Sequence, residues 1–248
     1  MISVTILTKN SEKYLEEVLK SLESFDEVLI LDNGSDDSTI EITKNFNNVK
    51  VATSKFLGFG KLHNLAADLC KNDWILSIDS DEILSKGLIH EIRNYTLDPM
   101  CVYEIPRQNY YRGKEIKCCG WYPEKVIRLF NRRLTSFSDS EVHEKVLRKN
   151  LNKITLKNPL KHYPYSNLSD FLKKMQHYSE LFAIQYQGKK KSTPFKALRQ
   201  CLFAFFKSYF LKKGFLGGYE GFLISMYNAH TAFYKYLKLY ELNKSQVT

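Results

Sequence analysis

Within the first 80 residues, four short runs rich in β-branched residues and leucine alternate with segments of helical period, and this alternation limits the fold more than any other feature. Ile2 to Leu7, Val28 to Leu31, Val49 to Ala52 and Trp74 to Ile78 read as strands. Between them Leu15, Val18, Leu19 and Leu22, and later Leu62, Leu65, Ala66 and Leu69, recur at the three- and four-residue spacing of one helix face. Asp37 or Ser38 can cap a shorter helix carrying Ile40, Ile42 and Phe46. A βαβαβαβ order implies an α/β fold: a mostly parallel, Rossmann-like sheet covered on both faces, with ligands at the carboxyl ends of its strands.

After residue 100 the pattern changes to strands at Cys101 to Pro106, Lys125 to Phe130 and Val142 to Leu147, separated by polar turns. From Asn167 it turns helical, with further helices near 194–212 and 219–240. The expected division is a domain of 1–165, made of halves 1–100 and 101–165, followed by a basic, aromatic helical extension of 166–248. Charge separates along the same line: residues 1–148 hold 20 Lys and Arg against 23 Asp and Glu, and residues 149–248 hold 17 against 4. The extension is therefore expected to meet something anionic. The five cysteines show no CxxC spacing, which points to a reducing, cytoplasmic setting. The N-terminus does not read as a secretory signal, and Lys196, Arg199 and Lys207 interrupt the most apolar C-terminal run, so no spanning helix is expected.

Asp79-Ser80-Asp81-Glu82 ends the fourth strand. Two acids one residue apart on an extended segment point the same way and can reach one ion, and carboxylates suit Mg²⁺ or Mn²⁺. An acidic loop or helix cap before Ile83 is the competing reading. Thr8 and Asn10 follow the first strand and Asp32 and Asn33 the second, on the same expected sheet edge. Asp32 can accept from a base or ribose hydroxyl, or can stabilise the Gly34 reversal as an Asx turn.

These residues resemble the family-2 inverting glycosyltransferases of the GT-A fold: SVTILTKN at the first strand, LDNGSDDST at the second, Gly58-Phe59-Gly60 to Asn64, and SIDSDE at the DxD. Asn33 departs from the second acid often found there. Trp121-Tyr-Pro, Arg128-Leu-Phe-Asn-Arg, Val142-His143-Glu144 and Gly217-Gly218 carry a narrower resemblance to lipopolysaccharide core transferases. The resemblance implies a nucleotide-sugar donor such as UDP-glucose and a glycan or glycolipid acceptor at the inner face of the cytoplasmic membrane. It further implies Mn²⁺ or Mg²⁺ on Asp79 and Asp81, with donor contacts at Thr8, Asn10, Asp32, Asn33, Lys61, Asn64, Ser80 and Arg128. Inversion needs a carboxylate base, assigned to Glu144 with Glu141 and Asp139 as rivals, and His143 can orient it. Trp121 is either a sugar-stacking or a packing residue.

Phe195, Leu198, Leu202, Phe205, Phe206 and Tyr209 can share one helix face, with Lys196, Arg199, Lys207, Lys212 and Lys213 mainly on others. Such a basic amphipathic helix either lies on anionic lipid or docks on the rest of the chain with its lysines in water. Two rival functions remain. A haloacid-dehalogenase-like phosphatase shares the Asp-x-Asp strand end, but its usual strand order and later acidic loop are missing. A nucleic-acid-binding protein would use the basic tail and leave the acidic strand ends idle, so no nucleic acid is expected.

Overall fold

The computed structural model describes residues 1–139, 144–148 and 150–245. Strand β1 (Ile2–Thr8) leads through α1 (Glu12–Ser21) to β2 (Glu27–Asp32), then α2 (Thr39–Thr43), β3 (Val49–Thr53), α3 (Phe59–Asp68) and β4 (Trp74–Asp79). The chain continues through β5 (Glu82–Leu84), α4 (Lys86–Asn94), β6 (Cys101–Tyr111), β7 (Lys114–Glu115), β8 (Glu124–Asn131), β9 (Asn152–Thr155) and β10 (Leu160–Tyr165). It ends in α5 (Leu168–Tyr186), α6 (Pro194–Phe206) and α7 (Gly218–Lys244). Along the sheet the strands run β3-β2-β1-β4-β8-β6-β10-β5. The first four are mutually parallel, and β8 adds antiparallel to β4.

The contact pattern divides the chain into two compact units: Met1–Gln108 with Glu124–His162, and Asn109–Pro123 with the chain from Tyr163 onward. This differs from the single boundary expected near residue 165. Residues 109–123 belong with the helices because Tyr111, Ile116, Cys118 and Cys119 bury their side chains with Phe171 and Ile224.

In the first unit, strand alternation serves both sheet faces. Val28 and Ile30 join Leu15, Val18, Leu88 and Ile92 on one side, and Leu29 and Leu31 join Leu62 and Ala66 on the other. Helix α4 and strands β5, β7, β9 and β10 were not read from the sequence. Of the expected strand at 142–147, Val142 and His143 lie outside the described residues, and among the described ones Val146 makes an isolated bridge to Phe137. A run of three strand residues containing a charge, such as β5, carries too little periodicity to be recognised.

In the second unit, Asn167 and Asp170 form a reciprocal capping box at the start of α5, and Thr193 caps α6 ahead of Pro194. Tyr165 stacks on Phe171 with ring centroids 3.9 Å apart, and Trp121 lies parallel to Tyr165 at 5.6 Å. Trp121 therefore packs within the unit. Helix α6 passes into a π-helical turn at Lys207–Leu211, and a 3₁₀ turn at Gly214–Gly217 leads into α7. A Cβ at Gly221 would lie 1.9 Å from the Gly214 carbonyl oxygen, so the chain approaches itself there as only glycine permits.

Inside a helix, Gly→Ala is ordinarily stabilising by up to about 1 kcal/mol. The backbone clash reverses that sign. Gly221→Ala is expected to destabilise the protein by about 1 to 3 kcal/mol, read as a lower urea midpoint. A raised midpoint would show that α7 is not held this close.

Candidate active site

Parallel register brings Thr8 opposite Asp32 and Leu7 opposite Asp79, so three strand ends open on one edge. Asp32 is 2% exposed and its two oxygens accept four hydrogen bonds: from Thr8 Oγ1 at 2.8 Å, Gly34 N and Ser35 N at 2.9 Å, and Ser35 Oγ at 2.6 Å. Burial opposes its ionisation, but the Ser35, Thr8 and Gly34 donors outweigh burial and hold it below the usual carboxylate range. Gly34 accepts the reversal with φ of 86°. Asn10, itself at φ 52°, takes a 3.0 Å bond from Asp36 N and donates its own N–H to Ser35 Oγ. Asn33 Nδ2 donates to the Ser54 carbonyl at 3.2 Å. Thr8, Asn10, Asp32 and Asn33 thus build the loops at the strand ends, and the Asx-turn alternative describes the carboxylate of Asp32.

The DxD segment does not continue the strand as its spacing suggests. β4 ends at Asp79, Ser80 and Asp81 form a turn, and Glu82 starts β5. Glu82 is fully buried and accepts from Asp79 N at 2.9 Å, from Arg128 Nη2 at 2.6 Å and from Arg107 Nη1 at 3.1 Å. Arg128 Nη2 also donates to Asp79, and Arg107 forks onto both oxygens of Glu124 at 3.0 and 2.6 Å. Burial would raise the Glu82 pKa, but the two guanidinium charges and these hydrogen bonds keep it below the ordinary value. Arg128 is raised above its ordinary value: burial works against its charge, and Asp79 and Glu82 overcome it. The sequence assigned Arg128 to donor phosphates. Here it lies buried beneath the DxD because β8 is inserted beside β4, and its donors meet carboxylates of this chain.

Asp81 is partly exposed, and its Oδ1 lies 3.6 Å from His162 Nε2. His162, opposite Glu82 in the antiparallel β10–β5 pair, was not among the residues read from the sequence. No short motif marks it, and only the pairing of distant strands brings it to the DxD. Donor atoms of Asp79, Glu82 and His162 all lie within 4.8 Å of one another. Asp79 and Glu82 are both bonded to Arg128, and Asp81 Oδ1 stands beside the same imidazole; oxygen and nitrogen donors of this kind are those that Mn²⁺ or Mg²⁺ accepts.

Helix α3 holds Phe137 by two side chains. Asn64 accepts from Phe137 N at 2.8 Å and donates to its carbonyl at 3.1 Å, while His63 stacks on the Phe137 ring at 4.3 Å and meets Ser77 Oγ at 3.1 Å. Burial pushes the His63 pKa down to about 4, so the ring is neutral near pH 7. Asn64, expected at the donor, clasps the backbone of Phe137. Ser138 N donates to the Lys145 carbonyl, which carries Glu144 on the return limb. Lys61 and Asp139 are exposed, and Glu141 and His143 lie outside the described residues. Arg132 donates to the carbonyls of Ala67 and Cys70 at the end of α3.

Removing the charge of Glu82 leaves Arg107 and Arg128 facing each other across a buried position. Glu82→Gln is expected to cost about 3 to 5 kcal/mol in unfolding free energy. Chemical denaturation measures it, and a loss under about 1 kcal/mol would show that Glu124 and Asp79 alone balance the two guanidiniums.

Residues 3–155 match the model of glycosyl transferase family 2. An uncharacterized glycosyltransferase of Rickettsia typhi is 32% identical over 98% of this chain and 87% of its own length. A lipopolysaccharide core biosynthesis glycosyltransferase of Rhizobium meliloti is 25% identical over 97% of this chain and 92% of its own. Among solved structures, a Pyrobaculum calidifontis mannosyltransferase in complex with GDP-Man and Mn²⁺ superposes with a TM-score of 0.51 at 14% identity, covering 93% of this chain and 73% of its own. That likeness is one of fold, the mixed but mostly parallel GT-A sheet with flanking helices. By its family match and its full-length relatives, the chain belongs to glycosyl transferase family 2, the transferases that use nucleotide sugars.

Proposed function

We propose that this chain is an inverting hexosyltransferase that moves a sugar from a UDP-sugar to a glycan acceptor of the lipopolysaccharide core type, using Mn²⁺ or Mg²⁺. The observation that carries the reading is the meeting of Asp81 with His162 at the strand-end edge, beside an Asp79 held by Arg128. The core-type acceptor is supported by the Rhizobium meliloti relative, which aligns along nearly its whole length.

Asp81 and His162 hold the ion, and Asp79 adds a carboxylate whose direction Arg128 sets. A bound divalent ion supplies charge neutralisation for the departing nucleoside diphosphate. Glu82 keeps the turn between the two aspartates in shape by accepting the Asp79 N–H, so its part is positional. Arg107 and Arg128 act through those carboxylates. Glu144 takes the proton of the attacking acceptor hydroxyl, with Asp139 and Glu141 as the rival carboxylates close by in sequence. Thr8, Asn10, Asp32 and Asn33 shape the loops that receive the nucleotide, and Lys61 and Ser80 complete the donor contacts.

A panel of UDP- and GDP-sugars with Mn²⁺, read as slow donor hydrolysis, tests the donor class. Asp81→Ala is expected to lower Mn²⁺-dependent turnover by at least about 100-fold and to weaken metal-assisted UDP binding, with an unchanged denaturation midpoint. Unaltered turnover would remove the metal assignment. Glu144→Gln is expected to keep UDP affinity within about twofold while transfer falls about 100-fold or more. Normal transfer by that variant would pass the base to Glu141 or Asp139.

A further inference from the structure

Helix α6 packs inside out. Ala197 and Ser208 are buried, and α7 lies against this helix and its π-helical extension. The large apolar residues at three- and four-residue spacing point the other way: Phe195 is 75% exposed, Leu202 63% and Leu211 64%, with Leu198, Phe206 and Phe210 about half exposed. The following turn continues the pattern, with Leu216 70% exposed and Phe215, Tyr219 and Phe222 near half. A soluble helix ordinarily turns its apolar stripe to the core. An exposed patch of this extent on one helical unit marks a surface made to be covered.

Its charge indicates what covers it. From Gln187 to Tyr219 the chain has eight basic residues (Lys189, Lys190, Lys191, Lys196, Arg199, Lys207, Lys212 and Lys213) and no acid. Arg199, Lys207 and Lys213 are exposed among the apolar residues. Aromatic and leucine side chains interleaved with lysine and arginine match the interface of an anionic bilayer, where apolar groups enter the acyl boundary and cations stay with the headgroups. No described helix is long and apolar enough to cross a membrane, so the contact is peripheral.

We propose that the outward face of α6, the π turn and the first turns of α7 is a docking surface for anionic phospholipid. The sequence left open whether this face met lipid or the rest of the chain; the exposure of its large side chains favours lipid. The proposal does not rest on the donor, metal or base assignments.

Flotation with phosphatidylglycerol-rich vesicles and with pure phosphatidylcholine vesicles tests it, using the full chain. Wild type is expected to float with the anionic vesicles and to lose most of that binding in pure phosphatidylcholine or at high salt. Leu202→Ser with Phe206→Ser is expected to lower partition about tenfold or more. Arg199→Glu with Lys207→Glu is expected to abolish the preference for anionic vesicles. Both pairs replace exposed side chains, and an unchanged denaturation midpoint and vesicle-free donor hydrolysis verify that fold and active site persist. The proposal is overturned if wild type binds both vesicles equally or neither, or if the serine pair binds like wild type. It is equally overturned if the serine pair abolishes a concentration-dependent self-association in a protein that ignores vesicles.

Discussion

A single buried carboxylate, Glu82, holds the acidic corner of the first unit together. Taking a carboxylate fully out of water costs several kcal/mol unless opposite charge and hydrogen bonds replace the solvent. Arg128 from β8 and Arg107 from β6 supply the charge, and the Asp79 N–H supplies a further donor. The end of β4, the start of β5 and two antiparallel strands are thereby tied to one point. The same network sets the charge available to chemistry. Asp79, Glu82 and Glu124 face two guanidiniums, which offset two of their three charges, whereas Asp81 stands beside an imidazole that can serve as a metal donor. The two aspartates of the DxD are thus chemically unequal, although their spacing makes them look alike.

Much of the first unit was legible because it is local. Continuous apolar runs mark strands buried on both faces, and β1, β2 and β4 have that character with helical stripes between them, while β3 is a more exposed edge strand. The convergence of Thr8, Asp32 and Asp79 follows from parallel pairing alone. What escaped depends on which distant strands become neighbours. Arg128 was expected at the donor, but β8 pairs with β4 and turns its guanidinium toward the acids of this chain. His162 is invisible for the same reason, since only the β10–β5 pairing sets it near Asp81. Asn64 was read as a ligand group and Asp32 as either a ligand group or an Asx turn, because polar residues at strand and helix ends serve either purpose. Their hydrogen bonds within the chain show them shaping loops.

The helical unit shows the limit of periodicity. Spacing alone places Phe195, Leu198, Leu202 and Phe206 on one face, but it does not say whether that face is in or out. The decision lies in the residues of the opposite side. Gly214 and Gly221 let two segments approach to where a methyl group would not fit, and Ser225 Oγ donates to the Gly221 carbonyl and lies 3.1 Å from Ser208 Oγ, which accepts from Asn228. Small residues and short side-chain hydrogen bonds suit a close helix seam, and bulky phenylalanines inserted there would force the helices apart. Once the seam is closed by glycine, alanine and serine, the large apolar residues have only the outside left to occupy. The outward apolar face is therefore a consequence of how this unit packs, and along residues 187–219 no acid offsets its positive charge.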